Sequence, residues 1–495
     1  MTKFVPSPYQ QAVYQHITNT TNNCVIDAVA GSGKSTTIVN ALSLIPSDKR
    51  VLFLAFNKAI VEELKVKVGN LNNVDIKTLH SLGMGAILKQ FRTRVFDGKY
   101  GKYINSGVKY GNIKPDSDLN ANELRTWKSN LHALCKLSRN YLASSVLEIE
   151  EIATKHDLQI VDNEAVTVLN INNWGKDNVR EIDFTDMIWF PNVLNINTEQ
   201  YDFVFIDECQ DLNTAQRELF LKTIKPETGR FIAVGDPRQA IYGFAGADVL
   251  SFEKLKSLPE TDLLPLSVCY RCDSEIIALA KAIVPQIEVR DNAAQGTIDH
   301  NSKIADIQDG DLILCRVTAP LVALCMQYIA NGVKAHVKGR DIGLNLINIL
   351  KNTDRVILAD AMEVIDTQRS TLCNKIARKQ SINVEAAKET PEYQSFMDKI
   401  RAIENLSSGL TTVNEAISRI EMIFKDNDKT GICLSTIHRA KGLEADRVFI
   451  LRPDKLYLKH CMQVAWMAEQ EKNLVYVAYT RAKNYLGFIS DFKDE

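Results

Sequence analysis

The sequence has 495 residues, of which 45% are hydrophobic and 24% charged, and its 59 basic and 61 acidic side chains give a formal net charge of −2. This length exceeds what one hydrophobic core usually holds, so we expect two to four domains, and the composition excludes a disordered, collagen-like or membrane-embedded chain. The near-zero net charge counts slightly against a nucleic-acid binder, although a locally basic channel would be enough to bind a strand.

The N-terminal residues and the spacing of the cysteines indicate in which cellular compartment the protein is expected. Residues 1–4 do not begin the apolar core of a signal peptide, and apolar runs such as 448–451 have only the length of a strand. We therefore expect a cytoplasmic protein that is neither secreted nor bound to a membrane. Cys269 and Cys272 form a single CxxC without a second pair, so reduced thiols are expected and a zinc site is not.

Strand-like apolar runs alternate with helical patterns in two regions of the chain. The first region contains runs at 24–29, 51–56, 203–207 and 231–234, and the second contains runs at 311–315, 333–338, 447–451 and 485–489. Strands that alternate with helices predict parallel sheets, so each region is predicted to form an α/β core. Two mainly helical stretches interrupt these cores, at about 86–180 and 352–428, and Pro391 marks a break in the second.

A phosphate-binding loop follows the first predicted strand. The segment 28–36 reads AVAGSGKST and precedes a helical pattern, which is the setting of a P-loop. Gly31 and Gly33 let backbone amides turn toward phosphates, Lys34 is expected to reach the β- and γ-phosphates, and Ser35 is expected to bind magnesium. The expected nucleotide-binding residues of the loop are Ala30, Gly31, Ser32, Gly33, Lys34, Ser35 and Thr36.

Two carboxylates end the strand predicted at 203–207 and narrow the class of reaction. Asp207 is expected to hold magnesium through water, and Glu208 to orient and deprotonate an attacking water. A P-loop alone would also fit a kinase, a transporter ATPase or a GTPase. The added base favours hydrolysis of ATP.

A series of further motifs resembles the UvrD/Rep group of superfamily 1 helicases. They lie in the family's order at 55–59, 78–82, 207–211, 234–244, 270–271, 337–341, 436–444 and 474–482. The resemblance covers nearly the whole chain. It implies two RecA-like parallel-sheet domains, each with a mainly helical insertion, with ATP in the cleft between them and DNA across their top. The implied boundaries are a first RecA-like domain at 1–85 and 181–270 with an insertion at 86–180, and a second at 271–351 and 429–495 with a small insertion at 352–428.

The resemblance also implies roles around the nucleotide. Gln10 would read the adenine edge, Tyr270 would stack on the adenine, and Glu444 would bind the ribose. Gln239 would sense the γ-phosphate and couple it to the DNA groove. Arg271 and Arg481 would contact the γ-phosphate, as the planar, always charged guanidinium is suited to do. The expected catalytic set is Lys34, Asp207, Glu208, Gln239, Arg271 and Arg481.

Single-stranded DNA is the track that the resemblance implies. The expected contacts are Phe56, Asn57, Thr78, His80, Phe244, Thr436 and His438. Separately, the stretch 92–114 interleaves Lys99, Lys102 and Lys109 with tyrosines and glycines. We interpret it as a flexible loop, either a solvated surface or an element that contacts DNA.

The motifs and the resemblance together predict an ATP- and magnesium-dependent DNA helicase acting in replication, repair or recombination, and the resemblance alone implies 3′-to-5′ polarity. Its expected partners are single-stranded DNA and single-strand/duplex junctions, with replication or recombination proteins as further candidates, and a monomer is expected in isolation. Two alternatives stay open. One is a translocase that displaces bound proteins and unwinds weakly, since the insertion at 352–428 is small. The other is an interaction protein with a vestigial ATPase.

Overall fold

The computed structural model describes residues 5–69, 71–115, 119–156, 158, 163–241, 250–379, 381–424, 430–458, 461–462 and 465–492. The chain divides into two compact units, one formed by residues 1–29 and 33–267 and the other by residues 30–32 and 268–495. None of the described helices combines the length and hydropathy needed to cross a membrane.

A six-stranded parallel sheet forms the centre of the first unit. The strands of this unit are β1 (Asn23–Ala28), β2 (Val51–Ala55), β3 (Val74–Thr78), β4 (Arg94–Val95), β5 (Glu181–Ile182), β6 (Phe203–Ile206), β7 (Arg230–Gly235) and β8 (Thr261–Leu266). The sheet order is β3-β2-β6-β7-β1-β8, and β4 pairs with β5. Every residue of β2 and β7 is buried, as in a strand covered on both faces. Pro265 lies in β8, which pairs only with β1, and an edge strand tolerates its missing N–H.

Helices cover both faces of this sheet and also form the first insertion. They are α1 (Pro8–Asn19), α2 (Lys34–Leu42), α3 (Lys58–Val68), α4 (Leu79–Leu88), α5 (Lys99–Lys109), α6 (Ala121–Tyr141), α7 (Val146–Lys155), α8 (Glu164–Asp177), α9 (Phe184–Val193), α10 (Thr214–Leu221) and α11 (Ser251–Lys256). Val25 and Ile26 of β1 belong to two different hydrophobic clusters because successive strand residues face opposite sides of the sheet. Helices α5 to α8 bury a cluster of their own, which includes Trp127 and Leu131.

The second unit is built on another six-stranded parallel sheet, in the order β11-β16-β15-β12-β14-β13. Its strands are β9 (Val268–Cys269), β10 (Glu288–Val289), β11 (Thr297–Asp299), β12 (Leu312–Cys315), β13 (Ala335–Lys338), β14 (Ile432–Thr436), β15 (Ala445–Leu451) and β16 (Ala482–Ile489). Its helices are α12 (Ser274–Lys281), α13 (Ala319–Ala330), α14 (Arg340–Lys351), α15 (Leu358–Lys379), α16 (Val384–Lys388), α17 (Pro391–Ser407), α18 (Val413–Ile423) and α19 (Ala465–Tyr479). The two parallel sheets with their helices confirm the predicted α/β fold class.

The helices α15, α17 and α18 share one hydrophobic core with the second sheet. Ile365, Ile403 and Ile420, one from each of these helices, belong to the same buried cluster as Ile313 of β12. A carboxylate of α17 adds a polar link, because Asp398 accepts hydrogen bonds from the backbone N–H groups that begin α13, at 2.8 Å from Thr318 and 2.9 Å from Ala319. The second insertion is thus packed into the core of its unit.

The strands predicted from the sequence are all present, with ends shifted by at most three residues. Four further strands of the two six-stranded sheets were missed: β3, β8, β11 and β14. The break predicted at Pro391 is also correct, because this proline is the first residue of α17.

Candidate functional site

The loop between β1 and α2 has the backbone of a phosphate-binding turn. Gly31 and Gly33 adopt φ of 67° and 76°, a left-handed conformation that glycine reaches without strain. Helix α2 begins at Lys34, so its N-terminal amides and its dipole face the loop. Ser32 is 2% exposed, and its Oγ has no hydrogen-bond partner among the described residues. A buried donor without a partner fits a loop whose partner is a phosphate oxygen.

The two carboxylates predicted to be catalytic, Asp207 and Glu208, directly follow β6. Lys34 Nζ lies 3.6 Å from Glu208 Oε1, so the structure brings the predicted phosphate-binding cation and the predicted base together. Glu208 has a φ of 54°, a strained value for a residue with a side chain, and such strain gathers at functional sites. The backbone N–H of Glu208 donates to Asp207 Oδ1 at 2.8 Å.

A chain of hydrogen bonds connects Glu208 with Gln239. Gln210 Nε2 donates to Glu208 Oε2 at 2.5 Å, and Gln210 Oε1 accepts from the backbone N–H of Asp236 at 3.1 Å. Asp236 Oδ2 in turn accepts from Gln239 Nε2 at 2.8 Å. Gly235 makes room for this chain, because a Cβ there would lie 2.4 Å from Gln210 Oε1. Gln210 received no predicted role, although it lies inside the motif at 207–211.

Magnesium fits the residues at this point. Ser35 is the second residue of α2, and Asp207 is a buried carboxylate at the end of β6. One hydroxyl, one carboxylate and phosphate oxygens are a usual magnesium shell, so a larger cluster of protein ligands is not required. Among the described residues no group of three or more His, Cys, Asp or Glu is arranged to hold a metal.

Gln10 lies beside the same helix. Its Nε2 donates to Thr37 Oγ1 at 3.0 Å, and its Oε1 accepts from the backbone N–H of Ser7 at 3.0 Å in the capping box of α1. Gln10 is 2% exposed. The structure therefore holds it against α2, and its contact with adenine stays a prediction.

Beyond the P-loop, four of the predicted nucleotide contacts lie in the second unit: Tyr270, Arg271, Glu444 and Arg481. Two of them, Arg271 and Glu444, bind each other. Arg271 Nε donates to Glu444 Oε2 at 2.7 Å, and its NH1 group donates to the carbonyl of Thr480 at 3.1 Å. Burial raises the pKa of Glu444, but the charges of Arg271 and Lys483 outweigh burial and hold that pKa below its usual value. Tyr270, next to Arg271, is 42% exposed.

Arg481 is 2% exposed and is anchored by backbone carbonyls. Its Nε donates to the carbonyl of Val477 at 3.0 Å, and its NH1 group donates to the carbonyl of Leu443 at 3.1 Å. These bonds fix the orientation of the guanidinium, and its contact with the γ-phosphate stays a prediction.

The predicted DNA contacts of the first unit follow two neighbouring strands. Phe56 comes directly after β2 and is 47% exposed. Asn57 and Thr78 are the N-caps of α3 and α4, and their side chains accept from the N–H groups of Ile60 and Ser81 at 2.9 and 3.1 Å. Because β2 and β3 are parallel and paired, these residues lie at the same edge of the sheet.

An exposed aromatic ring that the sequence analysis missed lies beside His80. Phe184, the first residue of α9, is 54% exposed, and its ring centroid is 6.3 Å from that of His80 in an edge-to-face arrangement. Helices α4 and α9 pack so closely that a Cβ on Gly83 would lie 1.9 Å from the carbonyl oxygen of Met187. Burial lowers the pKa of His80, so its ring is neutral near pH 7. A signal was available in the sequence, an aromatic residue directly after the capping residue Asp183.

The stretch 92–114 is not the flexible loop that we predicted. It contains helix α5, because buried contacts outweigh the glycines at Gly101 and Gly107. Lys99 and Tyr100 are buried, and Tyr103 stacks on Trp174 with ring centroids 3.7 Å apart. Lys99 therefore cannot contact DNA directly, whereas Lys102 and Lys109 are exposed.

The remaining predicted DNA contacts are Thr436, His438 and Phe244. Thr436 is the last residue of β14 and is 7% exposed. Burial, together with the charge of Arg316, lowers the pKa of His438 to about 3, so this imidazole is neutral near pH 7. Phe244 lies outside the described residues.

Comparisons with known proteins agree with this arrangement. The model of the UvrD/REP helicase N-terminal domain matches residues 8–259, and that of the UvrD-like helicase C-terminal domain matches residues 359–493. The chain is 23% identical to F-box DNA helicase protein 1 of Schizosaccharomyces pombe, covering 93% of this chain and 55% of that protein. It is also 23% identical to F-box DNA helicase 1 of Gallus gallus, over 96% of this chain and 48% of that protein. It is 25% identical to the ATP-dependent DNA helicase Rep of Escherichia coli, over 56% of this chain and 43% of that protein. The chain spans about half the length of these curated relatives.

Proposed function

The chain belongs to the UvrD/Rep helicase family, and we propose that it is a DNA-stimulated ATPase that moves 3′-to-5′ along single-stranded DNA and separates duplex strands. Its track would be single-stranded DNA and single-strand/duplex junctions, in replication, repair or recombination, with proteins of those processes as partners. The chain would act on this track as a monomer.

The observation that carries the proposal is the hydrogen-bond chain from Glu208 to Gln239. A base that deprotonates water has to be held in place, and Gln210 holds the Glu208 carboxylate at 2.5 Å. Gln239, at the other end, bonds to Asp236 at 2.8 Å. If the Gln239 side chain moves when a γ-phosphate binds or leaves, the movement would be transmitted to Glu208 through the hydrogen bonds of Asp236 and Gln210.

The residues of the first unit divide the hydrolysis of ATP among them. Lys34 neutralises charge on the terminal phosphates, and Glu208 accepts a proton from the attacking water. Ser35 and Asp207 would hold magnesium, which supplies further positive charge to the phosphates. Arg271 and Arg481 are proposed to stabilise the charge that develops on the γ-phosphate.

The exposed aromatic rings of the first unit support a single-stranded track. Phe56 and Phe184 present apolar rings to solvent, and a flat ring can stack on any base without reading its identity. His80 is neutral near pH 7, so it would contribute packing or a hydrogen bond to the strand rather than a charge.

A second function, translocation with weak unwinding, is favoured by the packing of the second insertion. Helices α15, α17 and α18 share the core of the second sheet, so they do not form a separate body that could work on duplex DNA. Such a translocase would still hydrolyse ATP on single strands but would separate duplexes poorly.

The proposal is tested by ATP hydrolysis with and without oligo(dT), with Lys34→Ala as the inactive control. We expect oligo(dT) to stimulate turnover of the wild-type chain at least about tenfold, equivalent to about 1.4 kcal/mol of barrier. Equal rates with and without DNA would contradict a DNA-driven motor.

A further inference from the structure

A buried cluster of charges lies between the first insertion and helix α9. Lys99 is 2% exposed, Arg139 1%, Asp183 6% and Asp186 0%. Two cations and two carboxylates balance one another, which a buried set of charges requires. The hydroxyl of Tyr100, which is also fully buried, completes the cluster.

Direct hydrogen bonds join these side chains. The NH1 and NH2 groups of Arg139 each donate to one oxygen of Asp183 at 2.9 Å, and NH1 also donates to Asp186 Oδ1 at 2.7 Å. Lys99 Nζ donates to Asp186 Oδ2 at 2.9 Å, and Tyr100 OH donates to Asp186 Oδ1 at 2.8 Å. The paired contact of Arg139 fixes orientation as well as distance.

The two sides of the cluster come from different parts of the fold. The cations belong to α5 and α6 of the first insertion, and the carboxylates belong to the first turn of α9. Asp183 is the N-cap of α9 and accepts from the backbone N–H of Asp186 at 2.7 Å, while Asp186 Oδ2 accepts from the backbone N–H of Asp183 at 3.3 Å. Between these carboxylates lies Phe184, whose ring is exposed beside His80.

The charge cluster fixes the geometry of the first turn of α9 rather than only adding stability. A buried ion cluster is seldom more stable than apolar side chains of the same volume, but it admits only one geometry. A first helical turn is otherwise the part of a helix that frays. Here four hydrogen bonds from Arg139 and Lys99 reach the two carboxylates that flank Phe184.

We propose that Lys99 and Arg139 are positioning residues for DNA binding: they hold the first turn of α9 so that the Phe184 ring stays beside His80, where a base can stack. The first insertion thereby sets the affinity for single-stranded DNA without touching the strand at this cluster. This inference rests on the proposed function, because it assumes that Phe184 and His80 meet DNA.

A double-mutant cycle tests the inference. The affinity of fluorescent oligo(dT) is measured for the wild-type chain, Lys99→Met, Phe184→Ala and the double variant. We expect Phe184→Ala to weaken binding by roughly 5- to 150-fold, the usual worth of one stacked base. Lys99→Met should weaken binding several-fold, and the double variant should bind no more weakly than Phe184→Ala alone.

Salt dependence separates positioning from direct contact. A lysine that touches a phosphate lowers the salt slope by about one when it is removed, whereas Lys99→Met should leave the slope unchanged. Lys136→Met, an exposed lysine of α6 in the same insertion, is the matched control for charge and should bind as the wild-type chain does. ATP hydrolysis without DNA and the melting temperature report on folding.

Tyr100→Phe is the milder second variant, because it removes only the hydroxyl that bonds to Asp186. It should weaken binding less than Lys99→Met, again without adding to Phe184→Ala. Wild-type affinity in both Lys99→Met and Tyr100→Phe, or losses that add to that of Phe184→Ala, would overturn the positioning role. If the wild-type chain does not bind oligo(dT), the proposed function fails as well. If it binds and Phe184→Ala weakens binding while the cluster variants do not, only this inference fails.

Discussion

Gln210 donates a 2.5 Å hydrogen bond to the carboxylate of Glu208 while its own carbonyl oxygen accepts from the backbone of Asp236. The side chain therefore connects the residue proposed as base with the segment that carries Gln239. Both contacts lie within the first unit and at the carboxyl ends of β6 and β7. A substitution of Gln210 therefore tests whether this hydrogen bond orients the Glu208 carboxylate for catalysis.

Gln210→Ala should lower kcat for ATP about tenfold and leave KM nearly unchanged. The reason is that the carboxylate loses a hydrogen bond, which to a charged group is worth about 1.5 to 3 kcal/mol, while the phosphate-binding loop stays intact. Steady-state hydrolysis in the presence of oligo(dT) measures both constants, with the exposed Gln90→Ala as control. An unchanged kcat would show that Glu208 does not depend on Gln210.

Lys34→Ala should reduce ATP turnover by at least about 100-fold, because it removes the cation proposed to neutralise the terminal phosphates. The circular dichroism spectrum and melting temperature should stay close to those of the wild-type chain. Lys67→Ala, which removes a surface ion pair with Glu63, provides the control and should keep full activity. Substantial turnover by Lys34→Ala would place the phosphates elsewhere.

Asp398→Ala should lower stability by about 1 kcal/mol or somewhat more, because it leaves the N–H groups at the start of α13 without their acceptor. Thermal unfolding followed by calorimetry measures this loss. Glu421→Ala, an exposed carboxylate of α18, should change stability little. Equal melting temperatures for Asp398→Ala and the wild-type chain would mean that α17 is joined to α13 by apolar contacts alone.

Acid should destabilise the chain through His438. Its pKa is lowered to about 3 in the folded state, whereas an unfolded histidine titrates near 6.5, so the folded state binds fewer protons between these values. The contribution of the neutral His438 to the free energy of unfolding is therefore fully present above about pH 6.5. It is lost as the pH falls toward 3, by up to about 1.4 kcal/mol per pH unit. His438→Gln should show a smaller drop in melting temperature between pH 7 and 5.5, with the exposed His300→Gln as control. An identical drop in all three proteins would rule out this role.

Buried apolar strands and their carboxyl-end motifs were predictable from the sequence. The run VLFLA of β2 is fully buried, so its hydrophobicity alone predicts a central strand. The missed β3 reads VDIKT and is only half-buried, and β8 contains Pro265, so neither produces a strong apolar signal. Edge strands such as β3 and β8 are difficult to predict because they are partly exposed to solvent and can therefore carry polar residues.

The charge cluster of the first insertion could not be predicted from the sequence. Lys99 and Arg139 look like solvated side chains, and only the fold brings their partners Asp186 and Asp183 from more than 40 residues away. Helix α5 was missed for the same reason, since tertiary contacts and not propensity stabilise it. The shared core of α15, α17 and α18 likewise depends on which helix faces meet.

Strand displacement on duplexes that carry either a 3′ or a 5′ single-stranded tail decides whether the chain is a 3′-to-5′ helicase. With ATP and magnesium, we expect displacement from the 3′-tailed duplex, little from the 5′-tailed duplex, and none from either with Lys34→Ala. Displacement from the 5′ tail alone, or equal displacement by wild-type and Lys34→Ala chains, would show that the chain is not an ATP-driven 3′-to-5′ helicase.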